Sequence, residues 1–367
     1  MRLFYYCNFP APYYIGFLNE LGKLCELTVV FERAFSSERD SSWKKYTAPN
    51  IKKIIILHGI HTQADMAFCP QIIKYIDSKK FDKFIIHDPA SPTGMWLIWY
   101  MKIRKIPYIL QCEGTLPGDG KTGFKEKYKT LLLNGAKCYL SSMNSKKSYF
   151  SSYIKEKEKI KWYPFSSFYQ KDILKNGLNQ IEKNKIRKKL GIKEKKVILS
   201  VGSIIKRKGH DILLKACRNF SENIGIYIIS GKATKDLKDI IKKYKIKNVH
   251  FVEFMPMEEL WNYYKMADIL AVPTREDTWG LFVNEAMANG LPIITTKKCV
   301  AGLELIDDGK NGYLIDTDDV NELRKKIIFL LKDWKLREMM AENNIKKIRE
   351  YTFENEAKKT FEAVENE

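Results

Sequence analysis

The chain has 367 residues, of which 45% are hydrophobic, enough apolar material for a core in each of two domains. No apolar run approaches the ~18 to 20 residues of a membrane-spanning helix, and the first ten residues lack the apolar stretch of a signal peptide. Seven cysteines without a CxxC spacing argue against a disulfide framework and a zinc cluster. We therefore expect a cytoplasmic protein with reduced thiols and no metal or other cofactor.

The formal net charge of +20 is unevenly distributed. Residues 1–165 carry 26 Lys and Arg against 14 Asp and Glu, residues 166–247 carry 22 against 7, and the remainder carries 16 against 23. A basic amino-terminal half fits attraction to an anionic membrane surface or to a diphosphate-bearing acceptor, although base composition alone also produces lysine-rich surfaces. Nucleic acid is not an expected partner, because no zinc finger, basic zipper or RNA-binding aromatic pattern is present.

Short apolar runs alternate with helical stretches through the first part of the chain. Helical periodicity is present at 13–24, 68–76 and 93–105, and strands are predicted at 2–6, 27–32, 54–58, 84–87 and 108–112. This alternation predicts an α/β domain with a parallel, doubly wound sheet.

The loops after the predicted strands carry candidate binding residues, because ligands of an open parallel sheet lie at the carboxyl ends of its strands. Tyr13 and Tyr14 follow the first strand, and His87 ends the strand at 84–87. We predict that these three side chains bind an acceptor, the alternatives being ordinary packing for the tyrosines and a structural hydrogen bond for His87. The aromatic helix that follows, with Trp96 and Trp99, either enters a membrane interface or packs on the sheet.

A second alternation of the same kind follows an irregular polar segment at 163–185. Its predicted strands are 197–201, 226–230, 249–252, 269–272 and 293–295. The sequence therefore predicts two domains of the same architecture, joined by the polar segment.

The stretch 273–292, PTREDTWGLFVNEAMANGLP, joins two of these strands through a loop and a helix. A helix start at the carboxyl end of a strand presents N–H groups to an anion, so the amides of Gly280 and Leu281 are expected to face a diphosphate. Asp277 in the loop and Glu285 on the helix suit hydroxyl donors, as a ribose or hexose offers. On spacing alone, Asp277 could instead cap the helix and Glu285 could be a solvated residue.

This stretch resembles the Glu-x7-Glu signature of the retaining family 4 glycosyltransferases, and its Glu-Asp-Thr-Trp-Gly segment resembles a bacterial polysaccharide-type subgroup of that family. Asp277 takes the place of the first Glu, since Gly280 lies three residues after it and five before Glu285; Glu276 is one place out of register. The resemblance implies the GT-B fold, in which two Rossmann-like doubly wound α/β domains face each other across a cleft.

The resemblance also implies that the two domains bind different substrates. Residues 1–165 are expected to form an acceptor-binding domain and residues 166–345 a nucleotide-sugar-binding domain, while the helix at 346–367 crosses back to the first domain.

Individual site residues follow from the same resemblance. Glu113 takes the position of a His-Gly motif and is expected to be catalytic with Asp277, by orienting the acceptor hydroxyl or receiving its proton. Lys208 matches a lysine that contacts the donor phosphates, and Arg207 or Arg275 supplies a second cation because Ser203 replaces the usual arginine. Phe254 and Met255 are expected beside the nucleobase, whereas Tyr13 and Tyr14 replace a glycine pair near the diphosphate.

The expected function is transfer of a hexose, with retention and without a metal, from a nucleoside-diphosphate sugar to a lipid-linked or polysaccharide acceptor in bacterial surface glycan synthesis. Uridine is the expected base, and the expected location is the cytoplasm, peripheral at the inner face of the plasma membrane. Two alternatives are a nucleotide-sugar epimerase of the same fold and a non-catalytic binder of anionic membranes or nucleic acid.

Overall fold

The computed structural model describes residues 1–36, 43, 45–63, 66–114, 123–144 and 148–367. These residues form two compact units. The first consists of Met1–Tyr169 together with Tyr351–Glu367, and the second is Gln170–Glu350. The sequence placed the divisions after residues 165 and 345, a few residues earlier than the structure does.

The first unit is built on a parallel sheet. In its described residues the strands are β1 (Arg2–Cys7), β2 (Glu26–Phe31), β3 (Lys53–Ile56), β4 (Ile60–Gln63), β5 (Met66–Phe68), β6 (Lys83–His87), β7 (Ile109–Cys112), β8 (Cys138–Ser141) and β9 (Ile160–Trp162). The helices among them are α1 (Pro12–Leu21), α2 (Pro92–Ile103) and α3 (Phe124–Leu133). Seven strands form one sheet in the order β3-β2-β1-β6-β7-β8-β9, and β4 pairs with β5 as an antiparallel hairpin. The strand order reverses between β1 and β6, whose carboxyl ends therefore form a natural binding position.

Local sequence explains why these elements form. β1 reads RLFYYC and is buried along nearly its whole length, as expected for a strand covered by helices on both faces. α2 begins where the Ser91 hydroxyl accepts a hydrogen bond from the amide of Gly94 at 3.0 Å. Pro92 occupies the first helical position, where a missing N–H is harmless.

The second unit repeats this architecture, with every residue described. Its strands are β10 (Lys196–Val201), β11 (Ile224–Ile229), β12 (Val249–Val252), β13 (Ile269–Val272), β14 (Ile293–Thr296) and β15 (Gly312–Ile315). Its helices are α4 (Gln180–Lys189), α5 (His210–Ala216), α6 (Lys235–Tyr244), α7 (Met257–Met266), α8 (Phe282–Ala288), α9 (Val300–Leu305), α10 (Val320–Lys332) and α11 (Trp334–Ile348). The parallel strands have the order β12-β11-β10-β13-β14-β15, so the reversal falls between β10 and β13.

The last helix, α12 (Phe353–Glu365), completes the first unit by packing on α1. Gly16 of α1 makes this approach possible, because a Cβ at that position would lie 2.3 Å from the ring of Phe353. The amide of Phe353 donates to the carbonyl of Phe168 at 3.0 Å, and the buried Glu356 carboxylate accepts from the amide of Ser166 at 3.1 Å. Gly16 therefore has a packing role in the first unit.

One predicted helix is wrong. Residues 68–76 have helical periodicity, but the segment begins with the end of β5 and continues as a 3₁₀ turn at Pro70–Tyr75. Pro70 has no N–H and prevents a helix from running through this position. The preceding apolar residues pair with β4 instead.

Candidate active site

Two loops at the carboxyl edge of the second sheet are held together by their backbones. The loop after β10 ends at Gly209, which has a φ of 72°, and a Cβ there would lie 2.0 Å from the carbonyl oxygen of Pro273. Glycine is therefore required for the close approach of the two loops. The amide of Arg275 donates to the carbonyl of Arg207 at 2.7 Å, which fixes the second loop against the first.

This contact places Lys208 beside Asp277. Lys208 Nζ lies 2.5 Å from Asp277 Oδ2, and Arg207 Nη1 lies 3.5 Å from Asp277 Oδ1. Asp277 is buried whereas Glu276 is exposed, so Asp277 is the acid that the loop turns inward. Because an ammonium group has three N–H donors, Lys208 can hold Asp277 and still donate to a phosphate oxygen.

Gly280 and Leu281 form the start of α8. Gly280 has a φ of 100°, and a Cβ there would lie 2.7 Å from the Sγ of Cys299, so the tight turn requires glycine. Leu281 is the residue that caps α8 at its amino end. Amides at a helix start find no acceptor within the helix, and they are available to an external anion.

Glu285 lies in the first turn of α8 and is buried. Its Oε2 accepts a hydrogen bond from the hydroxyl of Tyr264 at 2.7 Å. Burial, together with the adjacent Glu285, raises the pKa of Tyr264 well above its usual value, so this hydroxyl remains a donor. An ionised carboxylate accepts hydrogen bonds at both of its oxygens, which is the chemistry that suits sugar hydroxyls. Tyr264 lies 21 positions before Glu285 on another helix, and no sequence pattern pointed to it.

Arg275 differs from the expectation for a second phosphate-binding cation. Its guanidinium donates to both oxygens of Asp211 at 2.9 Å, and its Nε lies 2.8 Å from Asp318. The hydrogen bond to Asp211 raises the pKa of Arg275. Arg275 therefore anchors the loop, and Arg207 is the better placed of the two arginines because it faces Asp277.

His210 is a further residue that shapes the lysine loop. It is buried at the start of α5, and its Nε2 lies 3.2 Å from the carbonyl oxygens of both Gly202 and Ser203. Burial lowers the pKa of His210, so the neutral ring donates to these carbonyls. This role was not predicted from the sequence, although the position of His210 directly after Gly209, at the start of a helix, is a signal that could have indicated it.

Phe254 and Met255 follow β12 at the other side of the same sheet edge. Phe254 is exposed and Met255 is partly buried. β12 is separated from β10 by one strand in the sheet, so the two residues lie at the same edge as Lys208 but not beside it.

In the first unit, the ends of β6 and β7 bring His87 and Glu113 together. His87 is buried, and its Nε2 lies 3.5 Å from Glu113 Oε1. Within the described residues, neither of these two atoms has a hydrogen-bond partner. The other ring nitrogen of His87 lies 3.7 Å from the Sγ of Cys7, at the end of β1. This cluster therefore lies at the switch point of the first sheet.

The two amino-terminal tyrosines differ in their surroundings. Tyr14 is buried with its ring 5.0 Å from the ring of His87, whereas Tyr13 is partly exposed and contacts Phe165. Burial and the nearby Glu113 raise the pKa of Tyr14 well above its usual value. Tyr14 thus belongs to the His87 and Glu113 cluster, and Tyr13 lies at its border.

All seven cysteines are free thiols. Burial, with Asp277 nearby, raises the pKa of Cys299 to about 12. Over the described residues, no three His, Cys, Asp or Glu side chains converge as metal ligands do. In the same part of the chain, every helix is too short or too polar to traverse a bilayer.

The fold is similar to that of a solved structure. HepE from Anabaena, solved in complex with UDP, superimposes with a TM-score of 0.77 at 16% identity, covering 99% of this chain and 100% of HepE. With the two parallel sheets described above, this likeness confirms the predicted GT-B fold of two Rossmann-like domains.

A family match covers the second unit. Residues 182–347 match the family model described as Glycosyl transferases group 1. The matched segment contains Lys208, Asp277 and Glu285. The family match therefore lies within the second unit.

Curated relatives match parts of the chain. The D-inositol 3-phosphate glycosyltransferase of Corynebacterium urealyticum is 32% identical over 190 residues, which are 48% of this chain and 44% of the relative. An uncharacterized 41.2 kDa protein in the cps region of Klebsiella pneumoniae is 28% identical over 266 residues, which are 69% of this chain and 70% of the relative. The chain spans about half the length of most of the curated relatives that it matches.

Proposed function

We propose that this protein is a retaining glycosyltransferase that moves a hexose from a nucleoside-diphosphate sugar to a lipid-linked or polysaccharide acceptor in bacterial surface glycan synthesis. The observation that carries the proposal is the pair of Lys208 and Asp277, 2.5 Å apart at the switch point of the second sheet, with Glu285 buried on α8. The complex of HepE with UDP supports uridine as the base.

The second unit would hold the donor. Positive charge and N–H donors stabilise the leaving diphosphate; they come from Lys208, Arg207 and the amides of Gly280 and Leu281. The two buried carboxylates accept hydrogen bonds from hydroxyl groups of the donor. Glu285 accepts from the ribose and Asp277 from the transferred sugar. Phe254 and Met255 lie beside the base. Catalysis then comes from placement and from charge stabilisation at the leaving group, with no metal required.

The first unit would hold the acceptor. As the acceptor oxygen bonds to the anomeric carbon, the bond from that carbon to the diphosphate breaks, and the acceptor proton passes to Glu113 or to the leaving phosphate. His87 and Tyr14 keep the Glu113 carboxylate in position, and Tyr13 contacts the acceptor. The basic charge of residues 1–165 supports a cytoplasmic protein that is peripheral at the inner face of the plasma membrane.

Donor binding is tested by thermal shift with a panel of nucleotide sugars. A donor at about 100 times its Kd stabilises the folded protein by about 2.7 kcal/mol, so uridine diphosphate sugars are expected to raise the Tm. Glu285→Ala is expected to abolish this shift because the ribose loses its acceptor. Glu276→Ala, which removes the exposed neighbouring acid, is the matched control and keeps the shift. An equal rise in Tm with the nucleotide sugar in both variants would contradict the assignment of Glu285 to the donor site.

Transfer is tested with the stabilising donor in the presence of EDTA, with and without an extract of bacterial lipids and glycans as acceptor. Release of the nucleoside diphosphate is expected only with acceptor, and the anomeric configuration of the product should match that of the donor. Conversion of the donor sugar without acceptor would support the epimerase alternative instead. Loss of activity in EDTA would overturn metal independence.

A further inference from the structure

The side chain of Lys208 is confined on three sides within the second unit. Its ammonium group lies 2.5 Å from Asp277 Oδ2. Its methylene stem passes over Gly202, where a Cβ would lie 3.2 Å from both Cδ and Cε of Lys208. The third side is the ring of Phe282, whose centroid lies 5.2 Å from Nζ. Only 12% of the Lys208 side chain is exposed, so the position of its charge depends on these neighbours.

Phe282 has a fixed place at the start of α8. It is the first residue of the helix, and its side chain is buried. A Cβ at Gly280 would lie 3.1 Å from Cε1 of Phe282, so the ring packs closely against the tight turn that precedes the helix. The fold therefore presents the ring to Lys208 from the same loop and helix that carry Asp277 and Glu285.

An aromatic face attracts an ammonium group in a way that suits a phosphate-binding lysine. The attraction comes from the ring quadrupole, and it is stronger where water is excluded. It takes no N–H group of Lys208 away from an oxygen acceptor, so all three can serve Asp277 and a donor phosphate. A second carboxylate in place of the ring would instead neutralise the charge that stabilises a leaving diphosphate. A phenyl ring therefore holds the cation and leaves its charge to the ligand.

We infer that Phe282 is a positioning residue that holds the ammonium group of Lys208 where it meets the diphosphate of the donor. Phe282 acts through Lys208 and does not itself contact the reacting atoms. The inference rests on the proposed function, because it assumes a donor diphosphate at Lys208. It adds that the electron density of this ring, and not only its volume, determines the affinity for a diphosphate. The alternative role of Phe282 is to fill space, which any ring of the same size would do.

Fluorination of the ring separates these two roles. Fluorine atoms withdraw electron density from the face of the ring and weaken its attraction for a cation, while the size of the ring changes little. The full chain is prepared with one, two or three fluorine atoms on the ring of Phe282. The same series at Phe220 is the matched control, because the ring of Phe220 lies 4.8 Å from Cζ of Arg324 and neither residue belongs to the candidate active site.

Calorimetric titration with UDP and with uridine is the measurement. The affinity for UDP is expected to fall with each fluorine added to Phe282, by about threefold or more in total, because that is the size of a partly buried cation–π contact. The affinity for uridine, which has no diphosphate, should not change. Fluorination of Phe220 should leave the affinity for both compounds unchanged.

The inference is overturned if the wild type and all the proteins fluorinated at Phe282 bind UDP equally well, since Phe282 would then only fill space. It is also overturned if the affinity for uridine falls in parallel, or if the Phe220 series shows the same trend. These results leave the proposed function intact, because the wild type still binds UDP. A wild type that binds no nucleoside diphosphate would overturn the proposed function itself, together with the inference that rests on it.

Discussion

Lys208 and Asp277 are 69 positions apart in the sequence and form one ion pair in the second unit. Each residue was predicted separately, because each follows a strand whose carboxyl end reaches the same edge of a parallel sheet. Their direct contact was not predictable, since it depends on the close approach of two loops at Gly209. The same limit applies to Arg275, whose carboxylate partners Asp211 and Asp318 come from distant segments.

Glu32 is a buried carboxyl group outside the candidate active site. It follows β2, is fully buried, and accepts hydrogen bonds from the hydroxyl of Tyr6 and the amide of Ala67. Burial raises the pKa of Glu32 to about 7. The folded first unit therefore holds a proton on Glu32 at mildly acidic pH, where an unfolded chain would have lost it.

This difference in pKa makes stability depend on pH. The contribution of Glu32 to the free energy of unfolding is fully present below about pH 4.5 and is lost as the pH rises through about 7. Relative to Glu32→Gln, which stays neutral, the wild type should lose about 2 kcal/mol between pH 5 and pH 7.5. Calorimetric unfolding of both proteins across this range measures the difference. The exposed Glu26→Gln at the start of β2 is the control and should show no such slope.

At the scale of elements, the contact between the loops after β10 and β13 depends on Gly209. Gly209→Ala adds a Cβ that would lie 2.0 Å from the Pro273 carbonyl oxygen, so we expect a loss of about 3 kcal/mol or more in the stability of the second unit and a weaker donor-induced shift. Gly191→Ala is a matched control, because Gly191 has nearly the same φ, 71°, and nothing within 4 Å of its Cβ position.

Gly191→Ala should therefore show only the backbone strain of about 1 kcal/mol, with an unchanged nucleotide-sugar shift. Chemical denaturation of the two variants separates steric clash from strain. If both lose the same stability, Gly209 is needed only for its backbone conformation, and the account of the loop contact is wrong.

Several elements were predictable from short, mainly apolar runs between polar segments. The strand at 269–272 coincides with β13, and the strand at 249–252 with β12. Strands β8, β9 and β15 were missed, because an apolar run of only two to four residues does not by itself identify a strand, even though β12 and β13 of similar length were predicted. The hairpin of β4 and β5 was missed because β5 ends where a stretch with helical periodicity begins. That stretch forms the 3₁₀ turn at Pro70–Tyr75 and not an α-helix.

At the scale of the whole molecule, the packing of α12 on α1 joins the end of the chain to the first unit. Gly16→Ala should destabilise that unit by about 1 to 3 kcal/mol, because the added Cβ overlaps the ring of Phe353. The second unit should be unaffected, and its nucleotide-sugar shift should persist. Calorimetry that resolves two unfolding transitions is the measurement.

A double-mutant comparison identifies the cause of this effect. If Phe353 is the obstacle, Gly16→Ala should be much less damaging in a Phe353→Ala background than in the wild type. If the losses of stability from Gly16→Ala and Phe353→Ala are additive, the effect of Gly16→Ala does not come from a clash with the ring of Phe353.

The return of the chain at residue 351 has a consequence for biosynthesis. All of residues 170–350 are synthesised before α12, and a domain can fold completely only when all of its segments have emerged from the ribosome. The second unit can therefore fold while translation continues. The first unit cannot be completed until α12 has been synthesised, and until then the surface of α1 around Gly16 stays uncovered. The first unit therefore begins to emerge before the second unit and is completed after it.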